Sequence, residues 1–180
     1  MRPTVLIAFA DTGGEAGAIR AAAEWFGASV FWFPVGRPSD FLDVLGGKTG
    51  YPDADMTVLS FHGEDGAFLM PELGEEIYRE DEPRGPVGAE LIRSRLRLTD
   101  TVVLSTACGT GSAETAAAFR ERGNYYAAPS EEVEGAAALM FAVRFLYERL
   151  AKGASPEEAG RLAASADGET ALFAAGGKIC

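Results

Sequence analysis

Four short apolar runs constrain the fold of this chain more than any other feature. Residues 4–10 (TVLIAFA), 29–33 (SVFWF), 56–61 (MTVLSF) and 101–106 (TVVLST) are β-branched, aliphatic or aromatic almost throughout. Continuous rather than alternating apolarity marks strands buried on both faces, which suits a parallel sheet covered by helices. Segments of helical pattern lie between and after these runs. Residues 18–26 stop at Gly27, residues 40–45 follow Ser39 as an N-cap, and residues 89–96 place Leu91, Ile92 and Leu96 roughly on one face. Residues 112–122 have Ser112 at the cap and Gly123 just past the end. Residues 125–128 read as a short fifth strand and residues 135–152 as a long apolar helix ending at Gly153. Ser155-Pro156-Glu157-Glu158 then opens a further helix, and residues 170–174 read as a last strand. The alternation predicts an α/β three-layer sandwich: a mainly parallel sheet with helices on both faces, in a single domain spanning residues 1–180.

Composition narrows the function classes. The 180 residues carry a net charge of −11, which argues against nucleic acid and anionic membrane surfaces as partners. Two cysteines, one of them Cys180 at the end of the sequence, form no disulfide framework and point to a reduced, cytoplasmic setting. Residues 4–10 are too short for a signal or a membrane span, and no other segment approaches the ~20 apolar residues a span requires. Residues 71–88, rich in Glu, Asp, Pro and Gly, read as a solvated excursion. The second run, Phe31-Trp32-Phe33, suits either the core or a sheet edge used in oligomerisation.

The chemistry is concentrated just past two of the strands. The third run leads into His62-Gly63-Glu64-Asp65-Gly66, and the fourth into Ala107-Cys108-Gly109-Thr110-Gly111. His62 is the sole histidine of the chain. Taken singly, Cys108 reads as a buried structural thiol and His62 as a ring satisfying a backbone carbonyl. Together they occupy the carboxyl ends of two buried strands, where open α/β sheets place their sites. Parallel neighbours would bring a general base and a nucleophilic thiol within reach of each other. Gly63 frees a backbone N–H for an oxyanion, and Gly109 and Gly111 let the backbone approach a substrate closely.

These residues resemble the caspase-like cysteine peptidases, the group that includes metacaspases, legumains, gingipains and CHAT domains. Ser60-Phe61-His62-Gly63-Glu64-Asp65-Gly66 is similar to the Ser-His-Gly-Glu-x-Gly run of caspases, with Phe61 inserted. Thr106-Ala107-Cys108-Gly109-Thr110-Gly111 is similar to their Gln-Ala-Cys-x-Gly. Phe145-Leu146-Tyr147-Glu148-Arg149-Leu150 followed by Ser155-Pro156-Glu157-Glu158-Ala159 resembles the CHAT subgroup. The resemblance implies a caspase-like sheet, a peptide or protein substrate and no cofactor. It makes His62 the general base and acid, Cys108 the nucleophile, and the Gly63 and Cys108 amides the oxyanion hole. It also implies that Thr106, in place of Gln, and Asp11, at the turn after the first strand, contact the substrate. An aspartate there would suit Arg or Lys at P1. Asp11 has a second account, as a cap for the next helix.

Rival chemistries fit less well. A phosphatase-like loop needs Arg six residues after Cys108, where Glu114 stands. Gly13, Gly14 and Gly17 do not have dinucleotide-binding spacing, and the P-loop Lys is missing. One His and two Cys supply too few zinc ligands, so no metal is expected. The remaining rival is a caspase-like module that binds partners without turnover.

Overall fold

The computed structural model describes residues 2–50 and 54–176. Strand β1 (Thr4–Phe9) leads into helix α1 (Gly13–Trp25), and β2 (Ser29–Pro34) into α2 (Pro38–Leu45). β3 (Met56–Ser60) is followed by a hairpin of two short strands, β4 (Gly63–Glu64) and β5 (Ala67–Phe68). An irregular excursion then precedes α3 (Ala89–Arg95). The chain continues through β6 (Val102–Ser105), α4 (Ala113–Arg120) and β7 (Tyr125–Pro129), and then α5 (Gly135–Leu146), α6 (Pro156–Ala164) and β8 (Phe173–Gly176).

Six strands form one sheet in the order β2-β1-β3-β6-β7-β8. All neighbours pair in parallel except β8, which runs antiparallel to β7. Each strand sends alternate side chains to opposite layers. Val5, Ile7, Val58 and Leu104 pack with α1, α5 and α6 on one face. Leu6, Ala8, Leu59 and Val103 pack with α2, α3 and α4 on the other. Continuous apolarity in the sequence thus corresponds to burial on both sides, and the expected three-layer α/β sandwich is the observed one. No helix among the described residues is long and apolar enough to cross a membrane.

Local differences from the sequence reading have identifiable causes. Helix α1 begins at Gly13 rather than at residue 18, so its glycines lie inside the first turns. Glycine there costs helix stability, but Thr12 and Glu15 are anchored by hydrogen bonds to β3 and β6 that set the turn. The long helix is regular only to Leu146, and Tyr147–Ala151 widens into a π turn, where the Arg149 guanidinium donates forward to the Ala154 carbonyl. The last strand starts at Phe173, because residues Thr170–Leu172 are held in a 3₁₀ turn by reciprocal Asp167–Thr170 bonds. The β4–β5 hairpin escapes sequence reading because two-residue strands carry no period. The aromatic run of β2 lies at the sheet edge and is partly buried. Cys180 lies outside the described residues.

The acidic excursion is a correction of a different kind. It is not simply solvated, because Glu82 is only 6% exposed. Arg37, just ahead of α2, donates Nε and Nη2 to the two Glu82 carboxylate oxygens at 2.6 and 2.7 Å. The Ser39 and Arg79 amides complete the shell. The excursion is therefore pinned to the α2 end of the molecule by a bidentate, charge-assisted contact. These donors, the Arg37 hydrogen bond foremost, hold the Glu82 carboxyl well below the usual carboxylate range. A depressed folded-state pKa stabilises the fold at neutral pH, and that contribution declines as pH falls below about 4.3, the unfolded value. Glu82→Gln should lower the melting temperature by several degrees at pH 7, and the gap to wild type should begin to narrow, without closing, on acidification to about pH 3. Thermal melts across that range check both statements.

Candidate active site

The turn that carries Cys108 is built from buried hydroxyls. The Ala107 amide donates to Ser105 Oγ at 3.1 Å, and Thr110 Oγ1 donates to the Ala107 carbonyl at 2.7 Å. Tyr126, fully buried on the neighbouring strand, donates its hydroxyl to the Thr110 carbonyl at 3.1 Å. Burial pushes that phenol above its ordinary range, so it remains a neutral donor. Gly109 adopts a φ of +71°, the left-handed conformation that favours glycine. The Gly109 and Gly111 amides are taken by the Glu131 and Pro129 carbonyls at 3.2 and 2.7 Å, which fastens the segment after β7 beside the turn. Helix α4 starts only at Ala113, with Ser112 as its cap, so Cys108 stands in the turn ahead of the helix and not at its first residues.

His62 reaches the same edge through strand register. Leu59 pairs with Ser105 at the end of the β3–β6 ladder. The Thr106 amide extends the ladder with a 3.1 Å bond to the Leu59 carbonyl. His62 and Cys108 each lie three residues beyond that last pair. The junction is tight at Gly63. A Cβ on it would stand 2.5 Å from the Cys108 carbonyl oxygen and 3.0 Å from both Ala107 Cβ and Thr110 Cγ2. Glycine is therefore required for the two turns to touch. Gly111 is similarly confined, since a Cβ there would lie 2.4 Å from the Ala128 carbonyl.

Two amides lie at this junction without a hydrogen-bond partner among the described residues. The Leu69 amide donates to the His62 carbonyl at 3.0 Å, which makes Gly63 and Phe68 a non-hydrogen-bonded pair of the hairpin. The Gly63 N–H consequently points away from β5. The Cys108 N–H has no hydrogen-bond partner among the described residues. The Cys108 thiol is partly buried and donates to the Val133 carbonyl at 3.7 Å. The His62 ring is exposed and makes no hydrogen bond among the described residues.

These groups line a cavity of about 880 Å³ at the carboxyl ends of the parallel strands. Of the residues singled out in the sequence, His62, Gly63, Thr106 and Cys108 all border it. Asp11 does not. It is exposed, with a φ of +56°, and caps nothing by a side-chain bond among the described residues. Glu15, one turn into α1, borders the cavity instead. Its Oε1 accepts from Ser60 Oγ at 2.7 Å and from Thr106 Oγ1 at 2.5 Å. Thr12 Oγ1, also on the cavity wall, donates to the Ser60 carbonyl at 2.9 Å. Sequence reasoning missed Glu15 because it placed the residue in a loop ahead of the helix. The available signal was a carboxylate six residues past the first strand end.

Charge at the cavity is one-sided. Glu15, Glu64, Asp65, Glu131 and Glu132 line it, and no Lys or Arg does. They do not converge, since the described residues contain no group of three or more acidic, His or Cys side chains placed to share a metal.

No family model matches the chain, and no curated protein matches it. Solved structures do. An inactive zymogen C11 protease from Parabacteroides distasonis superposes with a TM-score of 0.59 over 92% of this chain, at 17% identity. A secreted C11 cysteine protease from Bacteroides thetaiotaomicron, in complex with an irreversible peptide inhibitor, gives 0.55 over 97% at 11% identity. The fold is that of the C11 cysteine proteases. These belong to the caspase-like clan, so the expected caspase-like sheet is the observed one. The chain spans only 59% and 64% of the lengths of these two C11 proteins.

The contact at Gly63 generates a test. Gly63→Ala should destabilise the protein by about 1–3 kcal/mol, the usual cost of overpacking, and should change the reactivity of Cys108 toward a small alkylating agent. Gly13→Ala serves as the control, because a Cβ there meets nothing within 4 Å. Denaturant melts and alkylation rates compare the two.

Proposed function

We propose that this protein is a cysteine peptidase using His62 and Cys108, with a preference for a basic side chain at P1. What carries the reading is the presence of the only histidine and one of two cysteines at level positions on adjacent strand ends, bordering one cavity. The C11-type fold supports a peptidase at the level of architecture.

In this reading the Cys108 thiolate attacks the scissile carbonyl carbon, forming a C–S bond while the carbonyl π pair moves to oxygen. The Gly63 and Cys108 amides, one turned out of the hairpin and one without a partner, donate to that oxyanion. His62 takes the thiol proton and gives it to the leaving amine as the C–N bond breaks. Water then cleaves the thioester with His62 as base, releasing the acid and restoring the thiol. The five carboxylates on the cavity wall and the absence of cationic ones favour a positively charged substrate side chain.

Two observations favour the alternative, a caspase-like module that binds without turnover. In the structure the thiol is engaged with the Val133 carbonyl and the His62 ring has no orienting partner among the described residues. Covalent labelling by a peptidyl electrophile with Lys at P1, mapped by mass spectrometry, separates the readings. The peptidase reading expects rapid modification of Cys108 that falls about 10²–10⁴-fold in His62→Ala. Slow labelling indifferent to His62 would support the binding module.

A further inference from the structure

We infer that Glu15 is the residue that selects the P1 side chain, and that it selects Lys over Arg. The inference rests on the peptidase reading for the word P1, but the pocket it describes can be tested without turnover.

The argument starts from the two oxygens of one carboxylate. Glu15 Oε1 accepts a hydrogen bond from Ser60 Oγ at 2.7 Å, at the end of β3, and from Thr106 Oγ1 at 2.5 Å, just past β6. Two donors use both lone pairs of that oxygen. Oε2 has no partner among the described residues, although Glu15 borders the cavity. Thr106 is only 4% exposed and Ser60 is fully buried, so their hydroxyls fix the carboxylate and water does not readily replace them. The carboxylate is therefore held between the strand that delivers His62 and the strand that delivers Cys108, with one oxygen left without a partner among the described residues.

A guanidinium recognises a carboxylate best through two parallel N–H···O bonds, one to each oxygen. That mode is blocked here because Oε1 is already saturated. An ammonium is a compact charge that needs one strong acceptor and can take neighbouring hydroxyl oxygens as well. Oε2 provides the acceptor, and Thr12 Oγ1, beside Ser60 Oγ at 2.8 Å on the same wall, adds a neutral one. Asp11 lies off the cavity and contributes only to the general field.

The test measures binding and turnover separately, with short peptides identical except for Lys, Arg or Leu at P1. Binding is read by fluorescence polarisation on Cys108→Ala protein, and turnover on the protein with Cys108 intact, each with and without Glu15→Gln. Glutamine keeps an acceptor for the two hydroxyls, and melting curves confirm that the variant is folded. The inference expects Lys to bind more tightly than Arg by about 2- to 10-fold, the worth of one hydrogen bond. It expects the Lys-to-Leu ratio to fall by about 10- to 100-fold in Glu15→Gln, as for the loss of a bond to a charged group. Thr106→Val, which releases part of Oε1, should move the Arg-to-Lys ratio toward Arg. Arg bound as tightly as Lys, or Glu15→Gln weakening all three peptides alike, would overturn the inference. Selective, Glu15-dependent binding without any cleavage would leave the pocket standing and remove the peptidase reading. Cleavage without that selectivity would do the reverse.

Discussion

The register between β3 and β6 is the constraint on which the rest of the site depends. Leu59 lies opposite Ser105, and one further ladder bond runs from the Thr106 amide to the Leu59 carbonyl. Parallel pairing then makes the chain leave both strands at the same level. A shift of one residue would turn every side chain of β3 to the opposite layer, moving Val58 and Leu59 out of their two cores. Burial on both faces thus holds the register, and the register holds His62 level with Cys108. Gly63 locks the arrangement at the point of contact, where no side chain fits against the Cys108 carbonyl.

Around that junction the molecule uses polar groups sparingly, and each has a structural consequence. Ser105, Thr110 and Tyr126 stiffen the cysteine turn from beneath. Ser60 and Thr106 tie helix α1 to the ends of β3 and β6 through one carboxylate. The Glu131 and Val133 carbonyls hold the far wall against Gly109 and Cys108. The result is a hydrogen-bonded floor with acidic walls. At a distance from the cavity, the Arg37–Glu82 contact stops the acidic excursion from swinging freely.

The architecture was largely legible in the sequence because runs such as 4–10 and 101–106 are apolar without interruption, a pattern that permits little except a covered parallel sheet. The site was legible only in part. His62, Gly63 and Cys108 announce themselves by rarity and by their place after strands. Glu15 does not, because its importance comes from meeting Ser60 and Thr106, which are 45 and 91 positions away. Asp11 drew notice by its place at the turn, yet it does not border the cavity. Glu82 illustrates the same limit. Within an acidic run it looks solvated, and only the approach of Arg37, 45 positions earlier, makes it a buried anchor.

The central claim is that His62, Gly63 and Cys108 form one reaction centre across the β3–β6 junction. A crystal structure of the protein with a peptide aldehyde ending in lysinal tests it most directly. The account predicts a covalent bond from Cys108 Sγ to the aldehyde carbon and release of the thiol from Val133. It also predicts an adduct oxygen about 2.7–3.1 Å from the Gly63 and Cys108 amides, with the His62 ring beside it. An adduct whose oxygen faces solvent away from both amides, or crystals in which Cys108 stays unmodified, would contradict it.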